Sequence, residues 1–296
     1  MYFGSVRFFK NMILLAVIVM ILIPTATSIH YKNEYEEALA EKENILTTKM
    51  MALDEIYHTE DRLTFDKPGY QNLYPDFYAP QPIDASKAED KTAYLTFDDG
   101  PSARTYEVLD ILDAEEVKAT FFVVGKTDAF SQQAMKDIVA RGHTLAMHTY
   151  SHEYKKIYSS VEAYLEDMYK IFTLIKDTTG VTPTHFRFAG GSINNHNYSV
   201  YQEISAEMLR RGFVPCDWNV ASGDASSVIL LADTIAANVI AGAAKTKRAF
   251  VLMHDSYART TTVRALPAII HSLKEQGYTF DKLTPQTKPV LFTYNY

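Results

Sequence analysis

From Lys91 onward, short apolar β-prone runs and helix-favouring stretches alternate, and this alternation limits the possible fold more than any other feature of the chain. The β-prone runs are AYLTF (93–97), ATFFVVG (119–125), TLAMH (144–148), HFRFA (185–189), FVPCDW (213–218) and AFVLMH (249–254). Between and after them stand TYEVLDILDAEE, QQAMKDIVARG, SVEAYLEDMYKIFTLIKDTTG, YSVYQEISAEMLRRG, LADTIAANVIAG and VRALPAIIHSLKEQG. Several of these end on Gly, as a helix C-terminus favours. The third carries a predicted capping box, with Ser159 as N-cap and Glu162 three residues on. Strands separated by helical crossovers run parallel. Six or seven such units suit a barrel-like α/β domain of about 200 residues.

In a parallel barrel the strand C-termini converge on one rim, where catalytic side chains gather. Four of the six runs end in usable chemistry. The first closes on Asp98-Asp99 before Gly100-Pro101, the third on His148, the fourth passes Arg187 to Gly190-Gly191, and the last closes on His254-Asp255. Asp-Gly alone is an ordinary turn. The segment MHTYSHEY places His148 and His152 four apart, so on a helical turn both imidazoles would share a face and could hold one metal. HTYSH lacks the Glu of the zincin signature, and two surface histidines at a helix start is the plain alternative. With a carboxylate on the same rim, His, His and Asp form a three-ligand set that leaves coordination positions open. His254 sits beside an acid, where an imidazole titrates near neutrality. His30, His58, His143, His185, His196 and His271 lack such a pattern and read as surface or packing residues.

The first 29 residues read differently. Arg7 and Lys10 precede MILLAVIVMILI (12–23) and then PTATS, the layout of an export signal. Cleavage after Ser28, with Ala26 at the small position, would release the protein. Uncleaved, the stretch from Phe8 to Ile29 is long enough to anchor it in a membrane with its N-terminus inside, on the extracytoplasmic face. Residues 30–66, rich in Glu, Lys, Ala and Leu, suggest a helical stalk. Residues 67–90 suggest a Pro/Tyr-rich extended linker, residues 91–284 the main domain, and residues 285–296 a C-terminal tail. The formal net charge of −7, with no long basic tract, argues against a nucleic-acid partner. A single cysteine, Cys216, cannot form an intramolecular disulfide and reads as a small buried apolar residue. Export without disulfides fits a Gram-positive surface protein.

TFDDGP, HTYSH, FRFAGGS, DWNVASGD and VLMH occur in the order that resembles the polysaccharide deacetylases with a NodB homology domain, the family-four carbohydrate esterases. The resemblance covers roughly Lys91 to Leu283. It implies a distorted (β/α)7 barrel and a hydrolase that removes N-acetyl, or sometimes O-acetyl, groups from peptidoglycan, chitin-like or xylan polymers. It further implies one divalent metal ion, Zn first, with Co, Ni or Mn possible, held by Asp99, His148 and His152. By position, Asp98 resembles the general base, Arg187 the residue that orients it, and His254 the general acid. The tether of that histidine corresponds to Asp224, with Asp217 second. Gly190 and Gly191 would contribute to the oxyanion site, and Trp218 and Leu252 to the substrate wall. The chain departs from the pattern at Ala189, where a Pro is usual, and at Ala225, where an aromatic is usual. These departures keep open a catalytically inactive glycan-binding wall protein, and an O-acetyl esterase stands as a second enzymatic alternative.

Overall fold

The computed structural model describes residues 67–79 and 91–292 continuously, with scattered positions between residues 10 and 44. Two compact units divide the chain, residues 1–67 and residues 68–296. The expected membrane segment and most of the expected stalk lie outside the described residues. Among the described residues, no helix is long and apolar enough to cross a membrane.

The second unit is a curled parallel sheet wrapped by helices. Its strands are β1 (Thr92–Asp98), β2 (Thr120–Val124), β3 (Thr144–Thr149), β4 (His185–Phe186), β5 (Val214–Pro215), β6 (Val220–Ala221), β7 (Arg248–His254) and β8 (Thr279–Phe280). The helices are α1 (Ala103–Ala114), α2 (Ala129–Ala140), the single turn α3 (Tyr154–Ile157), α4 (Val161–Thr179), α5 (Tyr201–Arg210), α6 (Ala232–Ala243) and α7 (Thr260–Glu275). The sheet order is β5-β4-β3-β2-β1-β7-β6, with β8 beside the start of β1. The two edge strands do not pair with each other. Residues 216–219 carry the chain from β5 on one edge to β6 on the other, so a single segment bounds the opening.

Strand periodicity of two builds two cores. Leu95, Phe97, Phe121, Val123, Met147, Val251 and Met253 face the helices in the larger cluster. Tyr94, Phe122, Ala146, Cys216 and Phe250 fill the barrel interior. Continuing the inner column of β1 leads from Tyr94 through Thr96 to Asp98, and that of β7 from Phe250 to His254. The parallel register pairs Asp98 with His254. Residues 156 positions apart thus meet because both strands end at the same level.

Two expectations are corrected here. Ser160, not Ser159, caps α4: its side chain accepts the Ala163 N–H, and Ser159 Oγ donates to the Lys156 carbonyl instead. The linker expected over residues 67–90 is docked where it is described. Phe77 is fully buried against Tyr169, Phe172 and Phe213. Buried Arg211 donates to the carbonyls of Tyr70, Leu73, Tyr74 and Phe77 while its Nε pairs with Glu207. One guanidinium thus collects the backbone oxygens of a segment that the Pro and Tyr content alone made look extended.

His143 and His185 belong to the packing, as the sequence suggests. His143 Nδ1 accepts the Ala119 N–H, a role open only to an unprotonated nitrogen. Burial, aided by Lys118 beside His143, holds both imidazoles down at about 4. An unfolded chain takes up those protons near the ordinary value, so stability present above pH 6.5 drains away as pH falls toward 4. The expected slope is about 1.4 kcal/mol per pH unit for each histidine. Urea midpoints between pH 7 and pH 4.5 should show it, and a His143→Gln/His185→Gln variant should flatten it; an unchanged slope would refute the assignment.

Candidate active site

Asp98 ends β1 with its carboxylate almost wholly buried, and Arg187 fixes it. The guanidinium, itself without exposure, donates from Nη1 to Asp98 Oδ1 at 2.8 Å and to Thr96 Oγ1 at 2.8 Å. It donates from Nε to the Cys216 carbonyl at 2.8 Å and from Nη2 to the Asp217 carbonyl at 3.0 Å. The Phe122 ring lies beneath it at 4.1 Å. A cation so fully engaged cannot swing away, so the carboxylate it holds is fixed in place.

Asp99 turns out of the strand with a left-handed φ of 71°. Lys126 Nζ secures that turn by donating to the Asp99 and Pro101 carbonyls. The Asp99 side chain then meets two imidazoles: Oδ1 lies 3.5 Å from His148 Nε2 and 3.2 Å from His152 Nε2. The histidines do not share a helical turn, contrary to expectation. His148 sits on β3, and His152 lies in a loop with φ 56°. Buried Asp167 bends that loop back by accepting the N–H groups of Tyr150 and Ser151. A two-residue turn pinned by one carboxylate does what a helix face was expected to do.

These three side chains suit a divalent cation. Their donor atoms lie within 4.8 Å of one another, and Asp99 Oδ1 is buried without a hydrogen-bond partner. His148 Nδ1 lies 3.0 Å from the Arg187 carbonyl, which can only accept, so Nδ1 donates there and Nε2 is the ring nitrogen that faces Asp99. Burial and the neighbouring His148 hold His152 down, which favours the neutral imidazole that a cation needs. Asp99 stays below the usual carboxylate range: burial opposes ionisation, but His148, His254 and His152 together outweigh it.

On the other side stands His254. Its Nδ1 meets Asp224 Oδ1 at 2.8 Å, and its backbone N–H donates to Asp224 Oδ2 at 2.8 Å. Thr262 Oγ1 also donates to Asp224 Oδ2, and Arg259 to the Asp224 carbonyl. Asp217 does not reach this histidine. Its carboxylate accepts the Ser192 N–H and hydroxyl and the Phe292 N–H, tying the glycine loop to the chain's last described residue. Burial alone would lower His254, but Asp224, then Asp98 and Asp99, overcome that and hold it up at about 9.

Asp98, Asp99, His148, His152 and His254 line one cleft of about 330 Å3, with Gly190, Trp218, Leu252 and Ala225 in its walls. Gly191 does not line it. Its N–H is spent on the Phe188 carbonyl, and it lies under Trp218 and Phe292 at a φ of 88°. Only Gly190 of that pair borders the site. Ala189 and Ala225 remove no reacting group.

Two contributors escaped sequence reasoning, and a third was noted only as the acid beside His254. Asp167 is one, and a carboxylate among the buried residues of an amphipathic helix was its only signal. Tyr154 is another: it lines the cleft and packs against His152. The third is Asp255, which accepts from Thr105 and lies against Gly100, where a Cβ would come within 2.3 Å of its carboxylate. Burial pushes its carboxyl up to about 7.

Known proteins show the same arrangement of sequence and fold. The family model described as polysaccharide deacetylase matches residues 85–209. A peptidoglycan-N-acetylglucosamine deacetylase of Bacillus cereus is 36% identical over 197 residues, covering 65% of this chain and 69% of that protein. The chain belongs to the polysaccharide deacetylase family. Its members are hydrolases, and this chain is one. The catalytic domain of a peptidoglycan N-acetylglucosamine deacetylase from Eubacterium rectale superimposes with a TM-score of 0.68 at 36% identity, covering 72% of this chain and 98% of that one. A bifunctional xylanase/deacetylase of Pseudobutyrivibrio xylanivorans is 35% identical over 193 residues, covering 64% of this chain and 29% of that protein.

Proposed function

We propose that this deacetylase is metal-dependent and removes N-acetyl groups from amino sugars of an extracellular polysaccharide, with cell-wall peptidoglycan as its substrate. The observation that carries the reading is the convergence of Asp99, His148 and His152 donor atoms within 4.8 Å, flanked by Asp98 and His254 in one cleft. The donor set of one carboxylate and two imidazoles favours zinc among the ions that would fit. Bound there, the ion would polarise an acetyl carbonyl and make a water acidic enough to attack near neutral pH. Asp98, held in place by Arg187, would take the proton from the attacking water. The backbone N–H of Gly190, which borders the cleft, would donate to the developing oxyanion. His254 gives its Nε2 proton to the departing amine, since its Nδ1 is committed to Asp224. Asp224 keeps that imidazole oriented and stabilises its charge. Acetate and a free amino sugar result. A substrate of this kind lies outside the cytoplasm, which agrees with the export signal read in residues 1–29.

Acetate release from purified peptidoglycan, with and without chelator, tests the reading. Release is expected with the full-length chain, lost on chelation and restored by zinc. Metal-independent release, or none from peptidoglycan and chito-oligosaccharides, would overturn it. The xylanase relative supports one second reading, O-acetyl removal from a xylan-type polymer, and faster release from acetylxylan than from N-acetylglucosamine oligomers would favour that.

The proposed acid role fixes a pH response. His254 must be protonated, so kcat should fall as pH rises through its value, about 9, or lower when a cation offsets Asp98 and Asp99. Asp224→Asn removes the main charge that raises it and should move the alkaline limb down by about one unit or more. An unmoved limb would take His254 out of the acid role.

A further inference from the structure

Tyr154 lines the catalytic cleft and also a second concavity of about 690 Å3, bordered by Glu153, Lys155, Lys156 and His196. The wall between the two is aromatic. Tyr154 packs against His152 on the cleft side, with ring centroids 5.3 Å apart, and against His196 on the other, at 5.1 Å. Gly190 lies against the Tyr154 ring, where a Cβ would come within 2.9 Å of it. A glycan threaded through the cleft would therefore meet this surface with the sugar next to the one being deacetylated.

The charge there is unusual for the molecule. The chain is acidic overall, at −7. Yet Lys155 and Lys156 are both exposed at this wall, and among the described residues neither forms an ion pair, although Lys156 lies near enough to Glu166, itself paired with Lys170, to lower that carboxyl slightly. Glu153 faces the same space and offsets one of the two charges, leaving a net cation. Exposed ammonium groups that share a concavity with an aromatic ring suit a sugar that bears a carboxylate.

The geometry points to a cationic subsite, Tyr154 with Lys155 and Lys156, that recognises a carboxylate on the sugar adjoining the scissile N-acetyl unit. This rests on the deacetylase reading above and narrows its substrate to an anionic glycan. In peptidoglycan the carboxylate belongs either to the lactyl group of a bare muramic acid or to the stem peptide that amidates it. Chitin and xylan backbones carry neither. Lys155 and Lys156 thus act on substrate choice and not on the chemical step.

The test compares the parent with Lys155→Gln/Lys156→Gln. The substrates are neutral N-acetylglucosamine oligomers, peptide-free peptidoglycan glycan and peptide-bearing glycan. The ratio of kcat/KM for anionic over neutral substrate is expected to fall roughly three- to tenfold in the variant, through KM. Added salt should erode the parent's preference and leave the variant's flat. A drop confined to the peptide-free glycan assigns the lactyl carboxylate, and a drop confined to the peptide-bearing glycan assigns the stem peptide. An unchanged ratio overturns the proposal. Were no substrate turned over, the deacetylase reading would fall instead. Calorimetric binding of both glycans would still decide the subsite, with weaker binding by the variant expected and equal binding refuting it.

Discussion

Asp98→Asn is expected to lower kcat by a factor of roughly 100 to 10,000, the usual contribution of a general base, while the domain stays folded and still binds a divalent ion. Asparagine fills the same space and still offers Arg187 an oxygen where Oδ1 now sits at 2.8 Å. What it cannot do is take a proton. Asp98 Oδ2 is 4.0 Å from His148 Nε2, whereas Asp99 Oδ1 is 3.5 Å from the same atom and 3.2 Å from His152. The two adjacent carboxylates are therefore not interchangeable. Asp99→Asn or His148→Ala should lose the ion together with activity, and Asp98→Asn should lose activity alone. Metal content by mass spectrometry beside acetate release separates these outcomes. Loss of the ion in Asp98→Asn, or near-parental turnover, would show that the labour is divided otherwise.

That division was partly legible in the sequence, because strand periodicity and crossover topology are local signals with one geometric consequence. Once β1 and β7 are parallel neighbours, their last residues adjoin, and Asp98 beside His254 follows from the pattern alone. Register was less legible. So was the route by which His152 returns to His148, since this depends on Asp167 accepting two backbone N–H groups from seventeen and sixteen residues away. Spacing of four suggested a helix, and a loop with a left-handed residue produced the same approach. Choosing Asp224 over Asp217 also required three dimensions: both are buried acids on the same stretch, and only their partners distinguish them. The docked segment around Phe77 was hidden for a related reason, because Arg211 lies at a helix end far along the chain.

Arg187 should prove the most costly single loss to stability. Arg187→Met is expected to destabilise the domain by about 3–5 kcal/mol, the range for removing one partner of a buried ion pair. The cause is less the lost attraction than what stays behind: Asp98 without a counter-charge, and the Thr96, Cys216 and Asp217 oxygens without their donor. Lysine should not rescue it, because one ammonium cannot span four acceptors arranged around a planar fork. The decisive comparison is Arg187→Met/Asp98→Asn. If the stranded charge dominates, neutralising Asp98 should return part of the loss, so the double variant is more stable than the sum of the single losses by at least about 1 kcal/mol. The Cys216 and Asp217 carbonyls remain without their donor in both, so recovery should be incomplete. Urea unfolding of the four proteins gives the coupling directly. Strict additivity would mean that Asp98 is already compensated elsewhere, and that Arg187 braces the barrel opening without setting the charge of the base.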